Sequence, residues 1–150
     1  MVFNTVGNKQ NPAVLFFHAM GVTDLSSEPV AKHLKDRYFC IMPTSTACCV
    51  GQKYRNKTDE VRQMEAFLCE QGVERLAMIV ASSIGADLAM TFLKQTKLPI
   101  DNVLFDGGQF AQISLPLRRI MTPFLYFAIK SLYWSNGKTL KKCFGAMMRL

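Results

Sequence analysis

Short runs of apolar residues recur along the chain up to Asp106, and polar or turn residues close each of them. Continuous apolar runs of this length are typical of strands that are buried on both faces of a parallel sheet. Pro43 is expected to stop the second run. The four predicted strands are Ala13–Phe17, residues 38–42, residues 76–81 and residues 102–105.

Between these runs, apolar residues recur at the three- and four-residue spacing of amphipathic helices. The first predicted helix spans residues 28–36. A second begins with Thr58 as its N-cap and ends at Gly72. The third covers residues 84–94. Because strand and helix alternate, the sequence predicts an α/β fold in three layers, with a mainly parallel sheet between helices.

The charge of the chain is unevenly distributed. No Asp or Glu follows Asp106, whereas seven basic residues do, so the formal net charge of +7 belongs to the C-terminal part. Such asymmetry favours an acidic partner, a nucleic acid or an anionic membrane. The chain contains no recognisable nucleic-acid-binding module, and a specific nucleic-acid partner is therefore not expected.

The C-terminal part also has its own hydrophobic pattern. Apolar residues recur at helical spacing over residues 117–134, where Pro123 predicts a kink or a break, and residues 138–149 form a further basic amphipathic stretch. We expect cap-like or lid-like helices here, with weak contact between residues 117–150 and a membrane or another anionic surface as the alternative. The expected domains are residues 1–110, the α/β core, and residues 111–150, the basic helical segment.

The cysteines bear on the cellular compartment. The five cysteines do not have zinc-ligand spacing, and their odd number argues against a disulfide framework. The first ten residues lack the apolar core and basic start of a signal peptide. The sequence therefore predicts a cytoplasmic protein. Since it shows neither a phosphate-binding loop nor a metal-ligand cluster, we expect no cofactor and no metal.

The most informative segment is Ala-Ser-Ser-Ile-Gly at residues 81–85, between the third predicted strand and the third predicted helix. A serine on a sharp strand-to-helix turn presents its Oγ at the edge of the sheet, as a nucleophile requires. A serine also needs a base to remove its proton, usually an imidazole. The only histidines are His18 and His33, and both precede Ser83.

The arrangement resembles the α/β-hydrolase superfamily over about residues 3 to 110. A strand ends in a His-Gly-type loop at His18-Ala19-Met20-Gly21, the turn around Ser83 follows, and a later strand ends at Asp106. The resemblance implies that Ser83 is the nucleophile. It also implies that the backbone N–H groups of Met20 and Ile84 form the oxyanion hole.

The resemblance has gaps. Ala19 and Ala81 replace glycines, which is tolerable if neither position needs a positive φ. The family's last two strands, which deliver the histidine and often the acid, have no counterpart in this sequence, so the fold is expected to be truncated. Asp106 could be the acid or could cap the Gly107-Gly108 turn. The position of His18 matches a loop-bracing histidine rather than a base.

The resemblance implies a serine hydrolase that cleaves an ester, thioester or amide through an acyl-enzyme, with a small-molecule acyl substrate. Its catalytic base would come from residues outside this chain. The alternative is a non-catalytic protein on the same fold that binds a ligand or partner. Because residues 102–105 would form an open parallel edge, the chain could also associate with itself there.

Overall fold

The computed structural model describes residues 1–108 and 114–134. The chain divides into two compact units, Met1–Phe110 and Ala111–Leu150. The first unit contains strands β1 (Val2–Val6), β2 (Ala13–Phe17), β3 (Phe39–Thr44), β4 (Leu76–Ser82) and β5 (Val103–Asp106), together with helices α1 (Glu28–Leu34), α2 (Lys57–Glu70) and α3 (Ile84–Gln95). The second unit contains helix α4 (Leu115–Trp134).

The five strands form one sheet in the order β1-β3-β2-β4-β5. The pairs β2–β3, β2–β4 and β4–β5 are parallel, and only β1 runs antiparallel to its neighbour β3. The carboxyl ends of β2 to β5 therefore meet at one edge. In open α/β sheets, ligands bind in the crevice at this edge.

Helices cover both faces of the sheet. One face packs against α2 and α3 around a core that includes Leu15, Ile79 and Phe92. The other packs against α1, around Ala31 and Phe16. All five residues of β2 are buried because it is the central strand and has helices above and below. The predicted three-layer α/β fold with a mainly parallel sheet is confirmed.

The N-terminal edge of the sheet departs from the prediction. The sequence pattern did not indicate β1, which is a half-exposed edge strand. Pro43 does not stop β3 but lies inside it, opposite Phe3 of β1. A proline lacks the N–H that a ladder uses, and strands tolerate it near a sheet edge.

The start of α2 also differs from the prediction. Asn56, not Thr58, is the N-cap, and its side chain accepts a hydrogen bond from Asp59 N–H (2.9 Å). The helix ends as predicted, since Gly72 has φ of +71° just beyond it. The predicted apolar stripe is present, with Val61, Met64 and Leu68 buried.

Helix α4 continues past Pro123, so of the predicted kink or break the break does not occur. Its described apolar side chains are exposed, Phe124 at 76 %. Among the described residues, no helix is long and apolar enough to cross a membrane. The predicted amphipathic stretch at residues 138–149 lies outside the described residues.

Candidate active site at the carboxyl edge of the sheet

Ser83 occupies a strained turn between β4 and α3. Its φ of 51° and ψ of −117° make it the one non-glycine residue with a positive φ in residues 1–108 and 114–134. Such a conformation costs on the order of 1–3 kcal/mol and persists only where the surroundings impose it. Ser83 is exposed, and its side chain does not cap α3. The hydroxyl is therefore presented at the sheet edge without a structural role in the helix.

Gly85 explains how the turn is held so tightly. A Cβ on Gly85 would lie 2.5 Å from the carbonyl oxygen of Phe17 and 2.6 Å from that of His18. Because both neighbours are backbone atoms, no side chain larger than hydrogen fits. Ala81 lies in β4 with a negative φ, and Ala19 also lacks a positive φ, so alanine replaces glycine at both positions without backbone strain.

Asp106 ends β5 beside the turn. Its carbonyl oxygen accepts a hydrogen bond from Ser83 N–H (3.0 Å), and its carboxylate accepts one from Ser82 Oγ (3.2 Å). In the part of the chain that the structure describes, neither histidine contacts this carboxylate. The structure thus brings Asp106 to Ser82 and Ser83, where it braces the turn.

His18 connects two loops, which we name the His18 loop (residues 18–21) and the Ser45 loop (residues 45–48). Ser45 N–H donates to His18 Nε2 (3.0 Å), and His18 Nδ1 lies 2.8 Å from the Ala19 carbonyl oxygen. Nε2 must be unprotonated to accept, so the ring is neutral and carries its proton on Nδ1. Both ring nitrogens are engaged within the loops, which leaves neither for Ser83.

This contact also orients the Met20 amide. A trans peptide is planar, and its C=O and N–H point in opposite directions. The hydrogen bond from His18 Nδ1 to the Ala19 oxygen therefore fixes where Met20 N–H points. Ile84 N–H is one of the first amides of α3, which the helix itself leaves without acceptors. Within the described residues, no protein group accepts a hydrogen bond from either amide.

A cavity of about 310 Å³ opens beside these groups. Apolar side chains line most of it, and the charged pair Lys57–Asp87 lies at its surface. Ser83 does not line the cavity, although its neighbours Ile84 and Gly85 do. The apolar lining includes Phe17, Met20, Tyr54, Met64, Ile84 and Leu88.

Cys48, an exposed residue, also lines this cavity. Burial raises the pKa of the Cys48 thiol, and the adjacent Cys49 raises it further. A hydrogen bond from the Gly21 backbone offsets only part of this rise. Because the thiolate is the reactive form, a raised pKa lowers reactivity at neutral pH. Ser83 remains the candidate on geometry, because its positive φ presents a hydroxyl that makes no cap hydrogen bond to α3.

Sequence reasoning missed most of the cavity wall and the hydrogen bond between Ser45 and His18. The donor at Ser45 is a backbone amide, which any residue except proline would supply, so no residue type signals it. Glu60, which contacts the Ser45 loop, also carries no distinctive signal, because an acidic residue in the first turn of a helix is common for its interaction with the helix dipole. Within residues 1–108 and 114–134, no three His, Cys, Asp or Glu side chains are grouped to hold a metal.

Comparison with known proteins gives matches in structure only. No protein-family model matches the chain, and no curated protein matches it in sequence. A protein described as an α/β-hydrolase family member from Desulfitobacterium hafniense is 21% identical, with a TM-score of 0.71 over 79% of this chain and 49% of its own. A thermophilic esterase from Thermogutta terrifontis is 13% identical, with a TM-score of 0.67 over 77% and 43% of the two chains. An epoxide hydrolase of the same superfamily from hot-environment metagenomes is 16% identical, with a TM-score of 0.62 over 71% and 37%.

The chain thus spans about half or less of the length of the structures that it matches. At these identities the likeness is one of fold. The mostly parallel sheet with helices on both faces agrees with it. The protein has the α/β-hydrolase fold over the part of its structural neighbours that it matches.

Proposed function

We propose that this chain carries the nucleophile and the oxyanion-binding groups of a serine hydrolase that acts on an ester, thioester or amide. The observation that carries the proposal is the backbone of Ser83, whose positive φ holds an exposed hydroxyl on a tight strand-to-helix turn. Backbone strain at a residue that makes no structural use of its side chain points to function.

In this proposal, Ser83 Oγ attacks the substrate carbonyl carbon and the carbonyl oxygen becomes an oxyanion. Met20 N–H and Ile84 N–H donate to that oxygen. Fixed donors stabilise the charge without reorganisation when it forms. The positive end of the α3 dipole adds to this at Ile84. His18 braces the loop that presents Met20.

The proposed chemistry also requires a base and an acid. No histidine follows Ser83 in this sequence, and both nitrogens of His18 are engaged. Asp106 remains the candidate acid because it lies next to the turn, and it would orient an imidazole supplied from outside these residues. Without such an imidazole, the serine hydroxyl is a weak nucleophile.

The apolar cavity is where we place the apolar part of a small substrate. Its volume, about 310 Å³, is at the small end of the range for ligand sites. Because the lining is mostly apolar, an aliphatic or aromatic group attached to the reacting carbonyl would be favoured over a charged one. The structural neighbours include an esterase, and an ester is one of the substrates proposed here.

The test is turnover of a short activated ester with and without added imidazole. The chain alone should show at most the residual acceleration of an oxyanion hole, about 10³–10⁴-fold over water. Imidazole should raise the protein-dependent rate, and Ser83→Ala should remove that increase. Robust turnover without imidazole that both Ser83→Ala and His18→Ala abolish would instead make His18 the base.

A second candidate function is non-catalytic binding on the same fold. It is favoured by one observation, that Ser83 does not line the apolar cavity. Under this alternative, a small apolar ligand should bind equally well to the wild type and to Ser83→Ala. The hydrolase proposal makes a further prediction, that an activated ester acylates the wild type but not Ser83→Ala. Intact-protein mass spectrometry measures this difference.

Other expectations from the sequence stay predictions. They are a cytoplasmic location, contact of residues 117–150 with anionic surfaces, absence of a specific nucleic-acid partner, and self-association through the β5 edge. In the structure, Val103 and Leu104 on β5 are 39 % and 55 % exposed, which supports the last of these. The separation into an α/β core and a cap-like segment is likewise part of our proposal.

A further inference from the structure

Glu60 is the one acidic side chain in the described residues that is almost wholly buried, with 1 % of its surface exposed. It lies in the first turn of α2, and no lysine, arginine or histidine in the described part of the chain forms an ion pair with it. Among the residues that the structure describes, Thr46 alone donates hydrogen bonds to its carboxylate. Thr46 N–H lies 3.3 Å from each of its oxygens, and Thr46 Oγ1 donates to Oε1.

This arrangement is costly unless the hydrogen bonds are kept. A buried carboxylate without partners is destabilising by several kcal/mol, because it has lost its hydration. If the Ser45 loop moved away, Glu60 would lose both donors. The loop is therefore held in place by the requirement of Glu60 for hydrogen bonds.

The loop so held is the one that contacts His18. Ser45 directly precedes Thr46, and its N–H donates to His18 Nε2 (3.0 Å). The Ser45 side chain accepts from Ala47 N–H (3.3 Å), which closes the turn. His18 in turn holds the Ala19 carbonyl, and the planar peptide transmits this orientation to the Met20 amide. Hydrogen bonds, together with the peptide links Ser45–Thr46 and Ala19–Met20, thus form one path from the buried Glu60 carboxylate to the Met20 amide.

We propose that Glu60 is a positioning residue, which through Thr46 and Ser45 fixes the tautomer of His18 and the direction of the Met20 N–H. That this amide binds an oxyanion rests on the proposed function. The hydrogen-bond series itself does not, so the two can be tested separately.

The experiment is NMR of the imidazole nitrogens in the full chain. The chain contains two histidines, His18 and His33, and the exposed His33 is an internal reference. Long-range nitrogen–proton correlations distinguish a protonated ring nitrogen from an unprotonated one. The wild type should show His18 as a single tautomer with its proton on Nδ1. Hydrogen exchange of the Ser45 amide in the same sample reports whether its bond to Nε2 persists.

Glu60→Leu removes the acceptor at similar volume, and Glu60→Gln is the matched control because it keeps an oxygen in place. In Glu60→Leu, the Nε2-protonated tautomer should appear at His18, and the Ser45 amide should exchange about tenfold faster or more. The Leu15 amide on the central strand, which reports global unfolding, should change less. Glu60→Gln should retain the single tautomer.

If Glu60→Leu does not fold, Thr46→Val and Thr46→Ser make the same comparison from the donor side. Valine removes the hydroxyl, whereas serine keeps it. A single unchanged His18 tautomer and a protected Ser45 amide in folded Glu60→Leu or Thr46→Val would overturn the proposal. The proposal would also be overturned if Glu60→Gln lost the single His18 tautomer as fully as Glu60→Leu, or Thr46→Ser as fully as Thr46→Val. None of these readouts requires turnover at Ser83.

Discussion

The serine turn lies between two regions that differ in hydrogen bonding and in exposure to solvent. On one side, the His18 and Ser45 loops are connected by hydrogen bonds to one another and to a buried carboxylate at Glu60. On the other side, β5 has exposed apolar side chains and Asp106 is exposed. Both regions flank the same serine and lie at the same edge of the sheet.

A hydrolase site must both stabilise the charge that develops on the carbonyl oxygen and activate the nucleophile. The difference between the two regions indicates which of these tasks the described residues can perform. Groups that stabilise developing charge must be fixed in advance, because reorganisation during the reaction raises the barrier. On the His18 side, the hydrogen bonds of His18 fix the direction of the Met20 N–H and so meet that condition. The Asp106 side offers a carboxylate next to the turn but no histidine. We infer that the described residues hold a site for binding a carbonyl, whereas activation of the nucleophile requires an additional base.

The largest predicted effect concerns the close contact that joins the turn to the His18 side. Gly85→Ala should destabilise the protein by about 3 kcal/mol or more, because its Cβ would meet two carbonyl oxygens that cannot both move. Gly72→Ala is the control for a glycine required by its backbone conformation and not by lack of space, since Gly72 has φ of +71° and nothing within 4 Å of an added Cβ. That variant should lose about 1–2 kcal/mol.

Urea denaturation of both variants measures these losses. Equal losses in the two variants would show that the turn does not pack against the His18 loop as closely as the structure has it.

The second-largest predicted effect concerns the hydrogen bonds that Asp24 accepts on the His18 side of the serine turn. Asp24 follows the His18 loop and is buried, and it accepts hydrogen bonds from Thr44 and Asn4. Burial raises the pKa of Asp24, but hydrogen bonds from Thr44, Asn4 and backbone amides outweigh it and hold the pKa below the ordinary 3.8. Asp24→Asn should cost about 2 kcal/mol at neutral pH.

The sign of the pH dependence follows from the lowered pKa. The ionised Asp24 contributes stability above the unfolded-state pKa, and this contribution is lost as the pH falls through the lower folded-state value. The stability difference between the wild type and Asp24→Asn should therefore shrink in acid. A difference that stays constant from neutral pH to pH about 2 would contradict the assignment.

The smallest predicted effect has the opposite sign. Ser83→Gly should stabilise the protein by about 1 kcal/mol, because glycine adopts the positive φ without strain. Ser82→Gly, one residue earlier in β4, should instead destabilise by about 0.5–1 kcal/mol. Thermal denaturation compares the two. If Ser83→Gly is less stable than the wild type, the turn is not strained and the functional interpretation of Ser83 loses its main support.

The sequence predicted the parts of the fold that depend on hydrophobic pattern. The central strands and the serine turn were found because buried parallel strands are continuous apolar runs and a serine between strand and helix is distinctive. Strand β1 escaped detection because it is half-exposed and contains the polar residues Asn4 and Thr5, so it lacks a continuous apolar run. Asn56 and Thr58 are both good N-cap residues, and only the geometry decides between them.

The hydrogen-bond series through Glu60 could not be predicted for a different reason. An acidic residue in the first turn of a helix is expected at the surface, where it interacts with the helix dipole. Its burial follows from the path of the Ser45 loop. That path depends on backbone amides, which carry no residue-specific signal. The candidate nucleophile was therefore predictable from sequence, and the hydrogen bonds that orient the proposed oxyanion donor at Met20 were not.

The central claim is that the carbonyl-binding half of a hydrolase site is formed within this chain. A boronic acid tests it directly, because it forms a tetrahedral adduct that needs the serine oxygen and the oxyanion donors and leaves no acyl group to hydrolyse. Boron-11 NMR of the wild-type chain with a small alkyl boronate should show a tetrahedral adduct, which His18→Ala weakens and Ser83→Ala abolishes. The same tetrahedral signal in Ser83→Ala, or its absence from folded wild-type protein, would contradict the account.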